Sequence, residues 1–224
     1  MLNRRVFILG APLVLAGCQS TGMSLTPLAS RPETIAAYAA RPEERFPLPA
    51  VDVKKIPQKY LRQRVRYETN ERPGTIVVDT RGPFLYHTEE GGSAMRYGIG
   101  VGREGFGWSG NATIAAKRKW PTWTPPSEMI ERRPELEKYR GGMKPSLENP
   151  LGARALYLFE GGRDTLYRIH GTNEPESIGL AVSSGCIRMF NQDVIHLYEN
   201  TPRRTQVVVL QHDRGPGPFT GMFG

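Results

Sequence analysis

Glycine and proline interrupt this chain so often that long regular elements have little room to form. The 224 residues include 25 Gly and 19 Pro. Gly costs a helix or strand backbone entropy, and Pro lacks the N–H donor that both structures use. The apolar runs between these residues are short. The spacing therefore predicts one β-rich domain with many turns and some extra segments, and no second full domain.

Short apolar segments mark the expected strands. Residues 84–86 and 94–101 flank a Glu-Glu-Gly-Gly turn, and residues 155–159 and 165–170 flank a Gly-Gly turn, so each pair predicts a hairpin. Other predicted elements are strands at 64–67, 74–79 and 205–211 and helices at 33–40, 127–132 and 192–199, the last with Asn191 as its cap. Residues 120–150 predict a long structured loop, a type of segment that often carries function.

The first 17 residues have the organisation of an export signal. Arg4 and Arg5 precede an apolar run that ends at Gly17 and is shorter than the about 20 residues a membrane-spanning helix needs. The sequence Leu-Ala-Gly-Cys ending at Cys18 resembles the bacterial lipobox, which implies cleavage before Cys18 and lipidation of its thiol. Residues 4–8 also resemble a twin-arginine export signal. We therefore expect an exported, periplasmic lipoprotein anchored to a membrane.

Residues 18–60 follow this signal and contain little apolar periodicity but several prolines. They predict an N-terminal extension that acts as a tether. The folded domain is then expected at 61–213, with a C-terminal tail at 214–224. If a lipid occupies Cys18, Cys186 has no cysteine in the chain to pair with, and its thiol is either inert in the core or reactive.

The chain is basic, with a formal net charge of +8. Such a charge suits nucleic acid, an anionic membrane or an anionic polymer, and it does not choose among them. Neither zinc-finger spacing nor an aromatic RNA-binding signature accompanies the charge, so we expect no nucleic-acid partner. The histidines and cysteines do not have metal-ligand spacing, and we expect neither a metal nor an organic cofactor.

His170 and Cys186 are the residues with the clearest chemical meaning. His170 ends a predicted strand, and Cys186 follows it after 15 intervening residues, directly behind Ser184 and Gly185. These small residues allow a close turn that can point the thiol and nearby N–H groups at one pocket. An imidazole that accepts the thiol proton makes a strong nucleophile at neutral pH. The alternative is structural, with Cys186 packed as a small apolar residue.

The motifs His-Gly-Thr at 170–172 and Ser-Ser-Gly-Cys-Ile-Arg-Met at 183–189 resemble the signature of L,D-transpeptidases with a YkuD-type catalytic domain. The resemblance covers about 74–211. Its upstream segments are 98–102, 108–110, 119–126 and 149–153. It implies a mainly β fold, a twisted mixed sheet or sandwich with a few short helices. It also implies that the nucleophile lies in a crevice. A mobile flap that contains residues 120–126 would cover this crevice.

The resemblance also implies roles for individual residues. Cys186 would be the nucleophile, and His170 would be the base, oriented by a backbone carbonyl of the adjoining stretch. The oxyanion and substrate-binding residues would be Gly185, Ser184, Arg188, Gly171 and Thr172. Arg188 would order the pocket or meet a substrate carboxylate. Ser184 stands where many members have a second His, which is usually not the base, so this difference implies a variation in the pocket lining.

The implied reaction is acyl transfer on bacterial peptidoglycan. The Cys186 thiolate would attack the L,D bond of a tetrapeptide stem and release D-alanine, and an amine of a second stem would take the acyl group in a 3-3 cross-link. Other acceptors stay open: water, which makes the enzyme an L,D-carboxypeptidase, free D-amino acids, or an envelope protein. A non-enzymatic peptidoglycan-binding lipoprotein is a further alternative. Papain-like peptidases and cell-wall amidases fit less well because their Cys precedes their His, and sortases lack the local Ser-Gly-Cys pattern.

Overall fold

The computed structural model describes residues 27–102, 109–183 and 186–210, which form a mainly β body with a few short helices. This confirms the expected fold class. The strands are β1 Gln63–Arg66, β2 Ile76–Asp79, β3 Phe84–Glu89, β4 Ser93–Gly98, β5 Val101–Gly102, β6 Gly110–Lys119, β7 Arg154–Glu160, β8 Arg163–His170, β9 Ala181–Ser183, β10 Ile187–Arg188 and β11 Gln206–Val209. The α-helices are α1 Pro32–Ala37, α2 Ser127–Arg132 and α3 Asn191–Glu199. No helix within the described ranges has both the length and the apolar character needed to cross a membrane.

In the described part of the chain, nine strands form one mixed sheet in the order β1-β4-β3-β2-β11-β6-β7-β8-β10. Strand β11, which comes last in the chain, lies in the middle of this sheet. It pairs parallel to β2 on one side and antiparallel to β6 on the other. The C-terminal strand therefore joins the early half of the sheet to the later half, which contains His170.

The core lies against this sheet and beneath helix α3. Ile76 and Val78 of β2 are opposite Val207 and Val209 of β11, and all four side chains are buried. Branched side chains suit such a surface because they pack well between neighbouring strands. Helix α3 adds Val194 and Leu197 to the same cluster. This packing holds the segment after Cys186 in place, since α3 begins five residues after the cysteine.

The two predicted hairpins and the predicted helix at 127–132 are present as β3–β4, β7–β8 and α2. Strand β6 is the longest strand described, and the sequence analysis did not predict it. Only Ala112 and Ile114 of its ten residues are buried. The apolar signal of the strand is therefore weak, although the strand pairs with both β7 and β11.

Residues 27–60 differ from the expected tether. Tyr38 and Val53 are buried together with Leu61, Ile178 and Phe190, which lie later in the chain. Their irregular spacing produces no helical or strand periodicity, which is why the pattern resembled a linker. Buried apolar area of this kind stabilises a docked conformation relative to an extended one. The described part of the extension is therefore a structural part of the body.

Candidate active site

His170 is the last residue of β8, and its side chain is almost completely buried, with 4% exposed. Its Nδ1 lies 2.5 Å from the carbonyl oxygen of Gly171. Because a carbonyl only accepts hydrogen bonds, Nδ1 must carry the proton, and Nε2 of the neutral ring then has the lone pair. This is the backbone partner that the family resemblance implied. The geometry leaves Nε2 as the atom that can accept a proton.

Burial lowers the pKa of His170 to about 4, and the nearby positive charges of Arg188 and Arg168 act in the same direction. The carbonyls of Gly171 and Pro150 oppose this shift, because each favours the protonated ring. The imidazole is therefore neutral at neutral pH. A neutral imidazole can act as a general base, whereas an imidazolium cannot.

Cys186 lies one residue before β10, which runs parallel to β8 with Arg188 opposite His170. Continuing this register by one residue places Cys186 beside Arg168. Side chains alternate between the two faces of a strand, so the thiol lies on the same face as His170. The thiol Sγ is 4.0 Å from the carbonyl oxygen of Leu166. The sheet therefore places Cys186 on the neighbouring strand, two positions along from His170.

Burial raises the pKa of the Cys186 thiol, while a hydrogen bond from the backbone N–H of Arg168 and the charges of Arg168 and Arg188 lower it in part. The same two arginines lower the pKa of His170. The thiol therefore keeps its proton at neutral pH, and the resting pair consists of a thiol and a neutral imidazole. A thiolate has to form as the proton moves to a base.

The backbone of β8 bulges beside the thiol. Leu166 has a φ of 63°, in the left-handed region that branched and bulky residues rarely adopt. The register between β7 and β8 shifts at the same place, after Tyr157, and the Leu166 side chain is 77% exposed. Bulges commonly redirect groups next to functional sites. The sequence analysis missed this feature because an ordinary leucine shows no sign of it.

Asn191 holds the loop after His170. Its Oδ1 accepts a hydrogen bond from the backbone of Ala153 at 2.9 Å, and its Nδ2 donates one to the carbonyl of Thr172 at 2.8 Å. A Cβ on Gly171 would lie 2.2 Å from Asn191 Oδ1, so this position needs glycine. The prediction that Asn191 caps a helix from Gln192 is wrong. The helix already begins at Asn191, whose side chain makes these tertiary contacts instead.

Arg188 and Thr172 both contact Glu174. Arg188 Nη1 donates to Glu174 Oε2 at 2.7 Å, and Thr172 Oγ1 accepts from the Glu174 backbone at 3.0 Å. The described geometry therefore has Arg188 ordering the loop that follows His170. Among the described residues, no group of three or more His, Cys, Asp or Glu is arranged to hold a metal ion.

Three predicted residues, Ser184, Gly185 and the lipidation residue Cys18, lie outside the described residues. Two aromatic side chains, Tyr97 and Trp120, are buried. Trp123 instead packs near Tyr139 within the 120–150 loop, with ring centroids 6.2 Å apart.

A groove of about 580 Å³ lies between the N-terminal extension and the loop after His170. Residues 48–52 and 55–57 line one side, and Thr172, Asn173 and Ile178 contribute to its lining from the later part of the chain. Within the described ranges, neither Cys186 nor His170 is among the lining residues. The groove thus depends on the docked extension and borders the loop after His170, but its described lining does not include Cys186 or His170.

The family model for the L,D-transpeptidase catalytic domain, YkuD, matches residues 73–209. The chain belongs to this L,D-transpeptidase family. Among curated relatives, the probable L,D-transpeptidase ErfK/SrfK of Escherichia coli K12 is 34% identical over 142 residues, 62% of this chain and 44% of that protein. The probable L,D-transpeptidase YbiS of the same strain is 38% identical over 136 residues, 59% of this chain and 43% of that protein. The match thus spans less than half the length of either relative.

Two solved structures are also similar to this L,D-transpeptidase family member. One is a Brucella melitensis protein named as a probable carnitine operon oxidoreductase, caia, 49% identical, which covers 70% of this chain and 97% of that chain with a TM-score of 0.49. The other is an L,D-transpeptidase from Mycobacterium smegmatis, 21% identical, which covers 61% and 58% with a TM-score of 0.45. Since both TM-scores are below 0.5, the family assignment rests on the sequence match.

Proposed function

We propose that this protein is a cysteine-dependent L,D-transpeptidase that acts on the stem peptides of peptidoglycan. The observation that supports this most strongly is the His170 side chain, which is buried and neutral, with Nδ1 bound to the Gly171 carbonyl. Its Nε2 is the proton acceptor, and the parallel pairing of β8 with β10 puts the Cys186 thiol on the same face. This arrangement provides a nucleophile and a base for acyl transfer.

In the first half of the proposed reaction, Cys186 Sγ attacks the carbonyl carbon of the L,D peptide bond of a tetrapeptide stem. The thiol proton moves to His170 Nε2 as the S–C bond forms. The C–N bond to the terminal D-alanine then breaks, and His170 returns the proton to the leaving amine. Backbone N–H groups at residues 185 and 186 are proposed to stabilise the oxyanion. The products are free D-alanine and a thioester on Cys186.

In the second half, an amine attacks the thioester carbonyl, His170 accepts the amine proton, and the thiol leaves and takes that proton back. When the amine is the side chain of a second diaminopimelate, the product is a 3-3 cross-link. Water, a free D-amino acid or an amine of an envelope protein are the alternative acceptors. We further propose that the protein is an exported periplasmic lipoprotein, anchored through Cys18. This anchor would limit the enzyme to peptidoglycan near a membrane.

The experiment is mass spectrometry of products from the full chain, purified in detergent and incubated with disaccharide-tetrapeptide. We expect a dimer that lacks one D-alanine and, on the protein, an acyl adduct at Cys186. A Cys186→Ala variant should form neither. Cys18→Ser is the matched control because it removes the other thiol and should keep the activity. Persistent cross-linking by Cys186→Ala would refute the cysteine mechanism. Release of D-alanine without dimer would mean that the enzyme transfers the acyl group to water or to another acceptor.

A further inference from the structure

Glu44, in the N-terminal extension, makes a buried contact with the body of the domain. One carboxylate oxygen accepts hydrogen bonds from Trp120 Nε1 at 2.8 Å and from Arg154 Nη1 at 2.9 Å, and the other accepts from Arg154 Nη2. The Arg154 side chain is only 2% exposed. We call these three residues, Glu44, Trp120 and Arg154, the Glu44 clasp. Glu44 lies outside residues 73–209, which the family model matches.

The Glu44 clasp sits where the two ends of the 120–153 loop meet. Trp120 has a φ of 47°, and its backbone N–H donates to the carbonyl of Ala153 at 2.8 Å. The extension supports this junction further, because the Phe46 ring packs edge-on against Trp120 and Leu48 is buried with Trp120 and Ala153. A strained backbone at Trp120 persists only if its surroundings hold it there. Glu44 supplies the polar part of that support.

Backbone groups next to the Glu44 clasp connect it to the His170 ring. The carbonyl of Arg154 accepts the backbone N–H of Gly171 at 3.1 Å, and Gly171 provides the carbonyl that binds His170 Nδ1. The carbonyl of Pro150, near the same end of the loop, also raises the pKa of His170. The carbonyl that orients the imidazole therefore belongs to a residue bonded directly to the Arg154 backbone, and Pro150 lies four residues before Arg154.

We propose that Glu44 is a positioning residue for the reaction, acting through Arg154 to hold the Gly171 carbonyl that orients His170. The inference rests on the proposed function, in which His170 is the base. Removing the carboxylate would leave the Arg154 guanidinium buried without its counter-charge, a situation that proteins relieve by moving the side chain or admitting water. Movement at Arg154 would shift the Gly171 carbonyl and misalign the ring. Misplacing a catalytic group by about 1 Å can cost about a hundredfold in rate.

The test compares Glu44→Gln with Glu43→Gln in the full chain. Glu43 is the adjacent residue, but it forms an exposed ion pair with Arg41, so it controls for charge and position in the extension. We expect Glu44→Gln to lower kcat by about tenfold to a hundredfold with little change in KM. The acidic limb of the pH–rate profile should move to lower pH, because the Gly171 carbonyl raises the pKa of His170 and would move away from the ring. Glu43→Gln should match the wild-type protein in both.

A second readout does not depend on activity. The titration of the His170 ring is followed by nitrogen-15 NMR in the wild-type protein and both variants. A shift in Glu44→Gln alone supports positioning even if the wild-type protein does not react with tetrapeptide, and this separates the inference from the proposed function. If Glu44→Gln does not fold, Trp120→Phe tests the same junction, since it removes one hydrogen bond to Glu44 and keeps an aromatic ring against Phe46; it should give a smaller change in the same direction. The proposal is overturned if Glu44→Gln folds and has the kcat and the His170 titration of the wild-type protein. If Glu44→Gln does not fold, the same result for a folded Trp120→Phe overturns it.

Discussion

The buried neutral state of His170 predicts a specific loss of stability in acid. The folded pKa of about 4 lies below the value of about 6.5 expected in the unfolded chain. The unfolded state therefore binds more protons between these two values. The contribution of His170 to stability is present above about pH 6.5 and is lost as the pH falls through the folded value. Between pH 7 and pH 5 this loss amounts to about 2 kcal/mol in the free energy of unfolding.

Other groups titrate in the same range, so the prediction is a difference between two proteins. Burial raises the pKa of Asp193 to about 6, although Arg62 and Tyr38 oppose the shift, and burial lowers the pKa of His196 to about 4. Asp193 acts with the opposite sign, because its raised pKa makes the folded state bind more protons and gain stability as the pH falls. A His170→Asn variant keeps both groups and an amide donor for the Gly171 carbonyl, but it does not titrate.

The assay is urea unfolding of the wild-type protein and His170→Asn at pH 7 and pH 5, followed by circular dichroism. From pH 7 to pH 5 the wild-type protein should lose about 2 kcal/mol more than the variant. His196→Asn serves as a control for the general effect of losing a partly buried imidazole, since it leaves His170 unchanged. If wild-type and His170→Asn stabilities change in parallel to within about 0.5 kcal/mol, the buried neutral imidazole is refuted.

Two further predictions concern packing around the site and the extension. Gly171→Ala should lower stability by about 1–3 kcal/mol and impair acyl transfer, because its Cβ would lie 2.2 Å from Asn191 Oδ1. Wild-type thermal stability and dimer formation in this variant would contradict the tight packing. Tyr38→Phe should cost about 1–3 kcal/mol in urea unfolding, because Tyr38 donates to buried Asp193 at 2.8 Å and accepts from the Arg62 backbone at 2.7 Å. A cost below about 0.5 kcal/mol would mean that water replaces the hydroxyl.

The sequence by itself determined the features that depend on local pattern. Glycine-rich turns between apolar runs predicted the β3–β4 and β7–β8 hairpins, because a turn and its flanking strands are neighbours in the chain. The motifs around His170 and Cys186 indicated the family, which the family model confirms, and they predict the reactive pair through residue types and spacing. The same local evidence was insufficient for β6, whose ten residues bury only two side chains and whose partners are distant in sequence.

Only the tertiary structure decided how the site is oriented and what supports it. The pairing of β8 with β10 places the thiol and the imidazole on one face, and burial sets the protonation state of each. Asn191 and Glu44 contact residues 38 and 110 positions away in the chain, so no local pattern could reveal their partners. The extension appeared to be a tether for the same reason, because contacts with distant residues such as Ile178 and Phe190 help to stabilise it. Hydrogen bonds and burial depend on proximity in space, and folding brings these segments together.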